Sequence, residues 1–233
     1  MQDEAVVLLS GGLDSTVCMA VAAQQHRLWP ITFAYGQRHA REVEQARQVA
    51  AHFGVARHLV VDCGFFRDIG GSSLTVHHLE VPLGREEAQL GTDIPSTYVP
   101  FRNGVFLALA VAYAESVGAA TVFIGVNALD YSGYPDCRPQ FIEAFQAAVN
   151  AGTAAGARGN PITIAAPLLH LDKAGIVRLG ARLGAPFELT SSCYLGGEVA
   201  CGQCDACRLR LKGFREAGLA DPIPYAVTPA AGP

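Results

Sequence analysis

The sequence predicts an α/β protein: a doubly wound parallel sheet followed by a small cysteine-bearing C-terminal subdomain. Three observations predict it. Short apolar runs alternate with stretches of helical period, a glycine-serine loop follows the first run, and four cysteines gather near the C-terminus. Strands alternating with helices of this length pair in parallel through right-handed crossovers. A ligand loop after the first strand then lies at the carboxyl edge of the sheet, where such folds bind ligands.

Ala5–Leu9 reads as the first strand and Asp14–Gln25 as a helix with Val17, Met19, Ala20 and Val21 among its apolar positions. Trp29–Tyr35 is a second strand. Residues 39–53 carry Val43, Ala46, Val49, Ala50 and Phe53 at helical spacing, and Gly54 ends that helix. Ala56–Val61 is a third strand. Between Cys63 and Pro100 the pattern breaks under Gly70, Gly71, Pro82, Gly84, Gly91 and Pro95, which reads as a long loop, either functional or disordered. The period returns in an apolar helix, Arg102–Ser116, then a strand, Thr121–Val126. A helix over Pro139–Ala151 and a short strand over Ile162–Ala165 follow. Asp172–Leu183 is a helix with Asp172 as its N-cap and Gly184 near its end. Residues 204–217 form a last helix, and Pro222–Pro233, rich in proline and alanine, is a surface-hugging or frayed tail. The division read from this is an α/β sheet domain over 1–187, a cysteine subdomain with its helix over 188–222, and a tail over 223–233.

The chain has 233 residues, half of them hydrophobic and 16% charged, enough apolar material for one large core. A net charge of −4 does not advertise a broad nucleic-acid-binding face and leaves local basic patches open. No run of 18 apolar residues is present, so a membrane span is not expected and the reading is a soluble cytoplasmic protein.

The loop Ser10-Gly11-Gly12-Leu13-Asp14-Ser15 stands between a strand and a helix start. Gly11 and Gly12 let the backbone approach a ligand closely. Exposed N–H groups and the positive end of the helix dipole favour an anion there. Ser10, Ser15 and Thr16 add hydroxyl donors. This is a phosphate cradle but not a Walker loop, because no Gly-Lys-Ser/Thr is present. An acid in such a cradle, Asp14, makes sense if Mg²⁺ arrives with the phosphates.

Cys193, Cys201, Cys204 and Cys207 are spaced C-x7-C-x2-C-x2-C. Two residues between cysteines let both thiolates turn onto one ion, and four thiolates make a closed tetrahedral shell. Zinc and an iron–sulfur cluster both fit this spacing. A full sulfur shell has no open position, so the metal takes a folding role. The other three cysteines lack ligand spacing: Cys18 reads as core, and Cys63 and Cys137 stand alone.

The Ser10–Ser15 segment resembles the signature of the PP-loop ATP pyrophosphatases. Further segments resemble one family within that group, the 7-cyano-7-deazaguanine synthases of queuosine biosynthesis. They are Tyr35-Gly36-Gln37-Arg38-His39, Val99-Pro100-Phe101-Arg102-Asn103, the stretch from Gly125 to Pro139 containing Asp130-Tyr131-Ser132-Gly133-Tyr134-Pro135-Asp136-Cys137-Arg138, and Ser192-Cys193-Tyr194 with the remaining cysteines. The resemblance runs from about Val6 to Pro222. Ser191 departs from it, since family members often carry tryptophan there.

The resemblance implies ATP, Mg²⁺ and one structural zinc per chain. It also implies a reaction in which 7-carboxy-7-deazaguanine, ammonia and ATP give 7-cyano-7-deazaguanine. AMP transfer activates the carboxylate, ammonia displaces AMP to give an amide, and a second adenylation lets the amide become a nitrile. Leu9 to Thr16, that is Leu9, Ser10, Gly11, Gly12, Leu13, Asp14, Ser15 and Thr16, then hold ATP. Asp14, Arg38, Arg102 and Asp130 are the candidate catalytic residues. Tyr35, Gln37, Arg102, Asn103, Asp130, Tyr131, Asp136 and Arg138 are the candidate substrate contacts. The guanidinium forks of Arg38 and Arg102 suit a phosphate or a carboxylate. A carboxylate such as Asp130 can accept from a guanine-like ring, and Tyr131 can stack on it. Lys173 either reaches phosphate from its helix start or is a plain solvated lysine. His39 is either a proton shuttle or a capping side chain, with a structural or orienting role favoured, and the adjacent His77 and His78 are loop residues. Partners are small molecules, with neither nucleic acid nor membrane. A homodimer is suggested by the family and by the apolar helices at Arg102–Ser116 and Pro139–Ala151. Two other readings of the same motifs are a transfer-RNA thiolation enzyme and a non-enzymatic zinc-ribbon protein on a nucleotide-binding scaffold.

Overall fold

The computed structural model describes residues 3–36, 41–76, 78–85, 93–129 and 133–227. Strand β1 (Asp3–Leu8) runs through the middle of a five-stranded sheet with β2 (His26–Ala34), β3 (Leu59–Asp62), β4 (Thr121–Phe123) and β5 (Thr163–Ala165). The order is β3-β2-β1-β4-β5 and every pairing is parallel. Val6, for example, lies opposite Trp29 on one side and Val122 on the other. The chain winds outward from β1 to β3, then returns to start again at β4. The switch point therefore falls between β1 and β4, where a cleft opens at the carboxyl edge.

Eight helices accompany the sheet among the described residues: α1 (Leu13–Ala22), α2 (Arg41–His52), α3 (Phe66–Ile69), α4 (Arg102–Val117), α5 (Pro139–Gly152), α6 (Ala154–Ala157), α7 (Lys173–Arg182) and α8 (Asp205–Ala217). Because side chains alternate along a strand, β1 feeds two cores. Val6 and Leu8 face Phe106, Leu107, Ala110 and Val111 of α4 and Ile142 and Val149 of α5. Ala5 and Val7, with Leu9 just beyond the strand, face α1, Ala46 and Val49 of α2, Ile176 and Val177 of α7, and Phe214 of α8. Helices cover both faces, as the doubly wound reading requires.

Local chemistry sets several ends. The Asp172 carboxylate accepts from the Gly175 N–H at 2.7 Å and caps α7, as its sequence position predicts. Helices α4 and α8 stop at Gly118 and Gly218, both left-handed. Expected and observed boundaries differ where tertiary contacts decide. The strand expected to reach Val126 ends at Phe123, because Ile124 to Asn127 turn aside to line the cleft. The third strand starts at Leu59 and not Ala56, where pairing with Ile31 begins. The four-residue α3 lies inside the expected 63–100 loop; one turn is too short to show a period.

Candidate active site and cysteine cluster

The glycine-serine loop is built by its own hydrogen bonds. The Ser10 N–H donates to Ser15 Oγ at 3.1 Å, the Gly12 N–H donates to Ser10 Oγ at 3.2 Å, and Ser15 Oγ donates to the Gly12 carbonyl at 3.0 Å. Gly11 has φ +79°, and a Cβ there would stand 2.5 Å from the Glu42 carbonyl, so only glycine lets the loop lie against α2. The Ser191 N–H donates to the Gly11 carbonyl at 3.0 Å, which ties the loop to the segment entering the cysteine cluster. Leu9, Ser10, Gly12, Leu13, Asp14 and Ser15 line a cleft of about 270 Å³. Thr16 does not reach it: its side chain is fully buried in the helix packing.

At the start of α1, both Asp14 oxygens accept from Lys173 Nζ, at 2.8 and 2.7 Å, and Oδ2 also accepts from Asn127 Nδ2 at 3.2 Å. Lys173 is 7% exposed, so it is not the solvated lysine of the alternative reading. Its stem passes Gly213 of α8, and its ammonium enters the cleft beside the cradle.

The opposite wall comes from β2 and the start of α4. Arg102 Nη1 donates to Tyr35 Oη at 3.0 Å, and the guanidinium lies 5.2 Å from the Tyr35 ring centroid. Burial opposes the Arg102 charge, but facing Tyr35, Tyr134, Asp136 and Cys137 raises its pKa above the usual guanidinium value, so it stays cationic. Burial pushes the Tyr35 hydroxyl up to about 12, so it remains protonated at neutral pH. Phe101, just before Arg102, is left-handed at φ 53°. Tyr134 and Cys137 complete this wall, and burial holds the Cys137 thiol near 12.

Of the expected substrate contacts, Tyr35, Arg102 and Asn103 line the cleft. Asp136 sits behind it, 3% exposed, where its carboxylate accepts from the Asn103 N–H at 2.9 Å and so caps α4. Burial raises the Asp136 pKa, with the Asn103 N–H and Arg102 pulling the other way. Arg138 is exposed at the N-cap of α5, away from the cleft lining. Gln37, Arg38, His39, His77, Asp130 and Tyr131 lie outside the described residues. Arg210 of α8 is a cleft-lining residue that sequence reasoning missed. Its sign in the sequence is faint: a charge on the apolar side of a helix, three residues after Cys207.

The four cysteines converge. The Sγ atoms of Cys193, Cys201, Cys204 and Cys207 all lie within 4.8 Å of one another, and those of Cys201 and Cys207 are 3.9 Å apart. A tetrahedral ion with ~2.3 Å sulfur bonds needs sulfurs ~3.8 Å apart, so the donor set fits a metal site. Backbone N–H groups of Cys201, Gln203, Cys204 and Tyr194 point at the sulfurs at 3.3–3.5 Å. The turn between the second and third ligands needs Gly202 at φ +75°, since a Cβ would strike the Val227 carbonyl. Cys18 is core, as expected.

A glycine-serine loop at the switch point of a doubly wound sheet, beside a buried lysine and an arginine, fits an ATP-using α/β enzyme, and the four clustered cysteines fit a metal site. The chain belongs to the family described as Queuosine biosynthesis protein QueC, whose match spans residues 4–218. It is 55% identical over 224 residues to the 7-cyano-7-deazaguanine synthase of Oceanobacillus iheyensis, covering 95% of this chain and 98% of that one. It is 54% identical over 222 residues to the protein of the same name from Acetivibrio thermocellus, covering 95% and 97%. Against the synthase of Anaeromyxobacter dehalogenans it is 55% identical over 227 residues, covering 95% of each. The transfer-RNA thiolation and non-enzymatic readings give way to this membership. No described helix is long and apolar enough to cross a membrane.

Proposed function

We propose that the chain converts 7-carboxy-7-deazaguanine and ammonia to 7-cyano-7-deazaguanine at the cost of two ATP, releasing AMP and pyrophosphate. The observation that carries this is the preformed cradle facing Lys173 and Arg102 across one cleft. The name shared by the relatives supports the substrate.

The cradle backbone and Ser10 and Ser15 bind the pyrophosphate end of ATP, with no lysine from a Walker loop. Lys173 supplies the cation instead, held by Asp14 until phosphates compete for it. Mg²⁺ suits this place because it prefers phosphate and water oxygens with one or two carboxylates; Asp14 is the carboxylate that would hold it, shielding the phosphate charge. Arg102, pinned by Tyr35, clamps the substrate carboxylate or the α-phosphate. The carboxylate oxygen attacks the α-phosphorus and pyrophosphate leaves. Ammonia then displaces AMP, giving an amide and a proton. The amide oxygen repeats the attack on a second ATP, and loss of AMP and a proton leaves the nitrile. Both adenylations develop charge at the same atoms, so one preorganised set of donors serves both. Arg38, Gln37, Asp130 and Tyr131 keep their proposed roles as phosphate clamp and ring contacts. The four cysteines hold zinc in a folding role, a set of soft thiolates with no open position. The outer side of α4, where Phe101 and Leu109 are exposed, is where a second copy would pack in a homodimer.

The test incubates purified protein with ATP, Mg²⁺, ammonium and 7-carboxy-7-deazaguanine and identifies products by mass spectrometry. Nitrile with AMP and pyrophosphate is the expected result. Folded, metal-loaded protein that makes no nitrile would refute the substrate.

A further inference from the structure

Arg210 is 1% exposed, and its partner Asp221 is 4% exposed at the side chain. All five guanidinium N–H groups have acceptors. Nε and Nη2 donate to the two Asp221 oxygens at 2.8 and 2.9 Å. Nη2 also donates to the Phe187 carbonyl at 3.2 Å, and Nη1 donates to Thr190 Oγ1 at 2.6 Å and Ser192 Oγ at 3.5 Å. The guanidinium lies 5.4 Å from the Phe214 ring centroid one turn along α8. Asp221 is equally occupied, accepting also from Tyr225 Oη at 2.6 Å and from the Ile223 N–H at 3.3 Å.

A buried ion pair is a weak source of stability, since desolvation offsets most of its attraction; its best use is to fix one arrangement. What Arg210 fixes is legible in its partners. Thr190 and Ser192 flank Ser191, and Ser191 donates its N–H to the Gly11 carbonyl of the cradle. The same side of α8 carries Cys207, three residues earlier and one of the four clustered thiols. With every N–H already placed, Arg210 has none left for a ligand.

We propose that Arg210 is a positioning residue for the phosphate cradle: it holds the Thr190 and Ser192 hydroxyls on either side of Ser191, with the Phe187 carbonyl behind them, and so sets where Gly11 and Gly12 lie, and it takes its own position from Asp221 and Tyr225 of the C-terminal segment. The inference rests on the reading of the cradle as the ATP site. It makes residues 221–225 part of the nucleotide site although none of them lines the cleft.

The test is a graded series, Arg210→Lys, Asp221→Asn and Tyr225→Phe, with KM for ATP, kcat and metal content measured for each. KM for ATP should rise by about tenfold, about fivefold and about twofold in that order, with kcat within about twofold and metal content unchanged. A merely structural role would lower kcat, folded fraction or metal content together and leave KM alone. Unchanged KM in folded, metal-loaded variants overturns the proposal, and so does a KM rise that tracks metal loss. Should Arg210→Lys not fold, Asp221→Asn and Tyr225→Phe decide by the same criteria. Failure of the unaltered protein to bind ATP is a separate result: it overturns the nucleotide reading, and this inference with it.

Discussion

The phosphate cradle and the cysteine cluster are both short glycine-marked segments, yet they are held in opposite ways. The cradle closes on itself: Ser10, Gly12 and Ser15 satisfy one another before any ligand arrives. The cluster does not. Four sulfurs within 4.8 Å would repel as thiolates, and backbone N–H groups alone offset little of that. One site is preorganised by the chain, and the other is completed by its ion. The ion-dependent site also has structural reach. Arg85 pairs with Asp205 beside the ligands, the Gly84 N–H donates to the Gln203 carbonyl at 3.0 Å, and Ala226 donates to Ala200 at 2.8 Å. Two distant segments, residues 84–85 and the chain around Ala226, are thus docked on the cluster.

That contrast can be broken by removing the ion. Chelation, or Cys204→Ser with Cys207→Ser, should cost at least about 4 kcal/mol of stability, read as a fall in thermal midpoint together with lost ATP binding. Retained stability in metal-free protein would erase the distinction. Next in size is Lys173→Met. The Ser10, Gly12 and Ser15 hydrogen bonds that close the cradle do not involve Lys173, so folding should persist while kcat/KM falls by about 100-fold; a loss of fold matching the loss of activity would make Lys173 a structural residue only. Gly11→Ala sharpens the preorganisation claim. The left-handed backbone and the Glu42 carbonyl 2.5 Å away should cost about 3 kcal/mol in denaturant unfolding. Gly54→Ala, also left-handed but with nothing within 4 Å, should cost about 1 kcal/mol.

The smallest effect concerns the back of the cradle. The Thr32 hydroxyl donates to the Leu9 carbonyl and meets His58 Nε2 at 2.7 Å. Burial, then Arg47, lowers the His58 pKa. The folded chain therefore resists protonation that the unfolded chain accepts near pH ~6.5. Stability is complete above that pH and falls as pH drops through it. His58→Gln should flatten the pH dependence of the thermal midpoint between pH 7.5 and 5.5; an unchanged slope would remove His58 from the account.

What was readable in the sequence was local. The sheet could be read because each strand is a contiguous apolar run, and the cradle and cluster because their members sit within a few residues of one another. The Asp14–Lys173 pair joins residues 159 apart, and no periodicity carries that information. Lys173 was visible as a helix-start lysine, but which of its two readings held depended on the fold. Arg210 was hidden for the same reason, since its partners lie before and after α8. Asp136 reads as a ligand contact because its loop follows a strand at the sheet's carboxyl edge and matches the family's, whereas the structure places its carboxylate on the Asn103 N–H. Thr16 lies one residue beyond the cradle's reach, on the buried side of α1.

The central claim is that one cradle is used twice, and stoichiometry tests it most directly. AMP released per nitrile would be measured with 7-carboxy-7-deazaguanine plus ammonium as substrate, and again with the corresponding amide alone. The account predicts about two AMP from the acid and about one from the amide, each with equal pyrophosphate, because each adenylation is a separate transition state on the same donors. Equal AMP from both substrates, or nitrile from the amide without ATP, would contradict it.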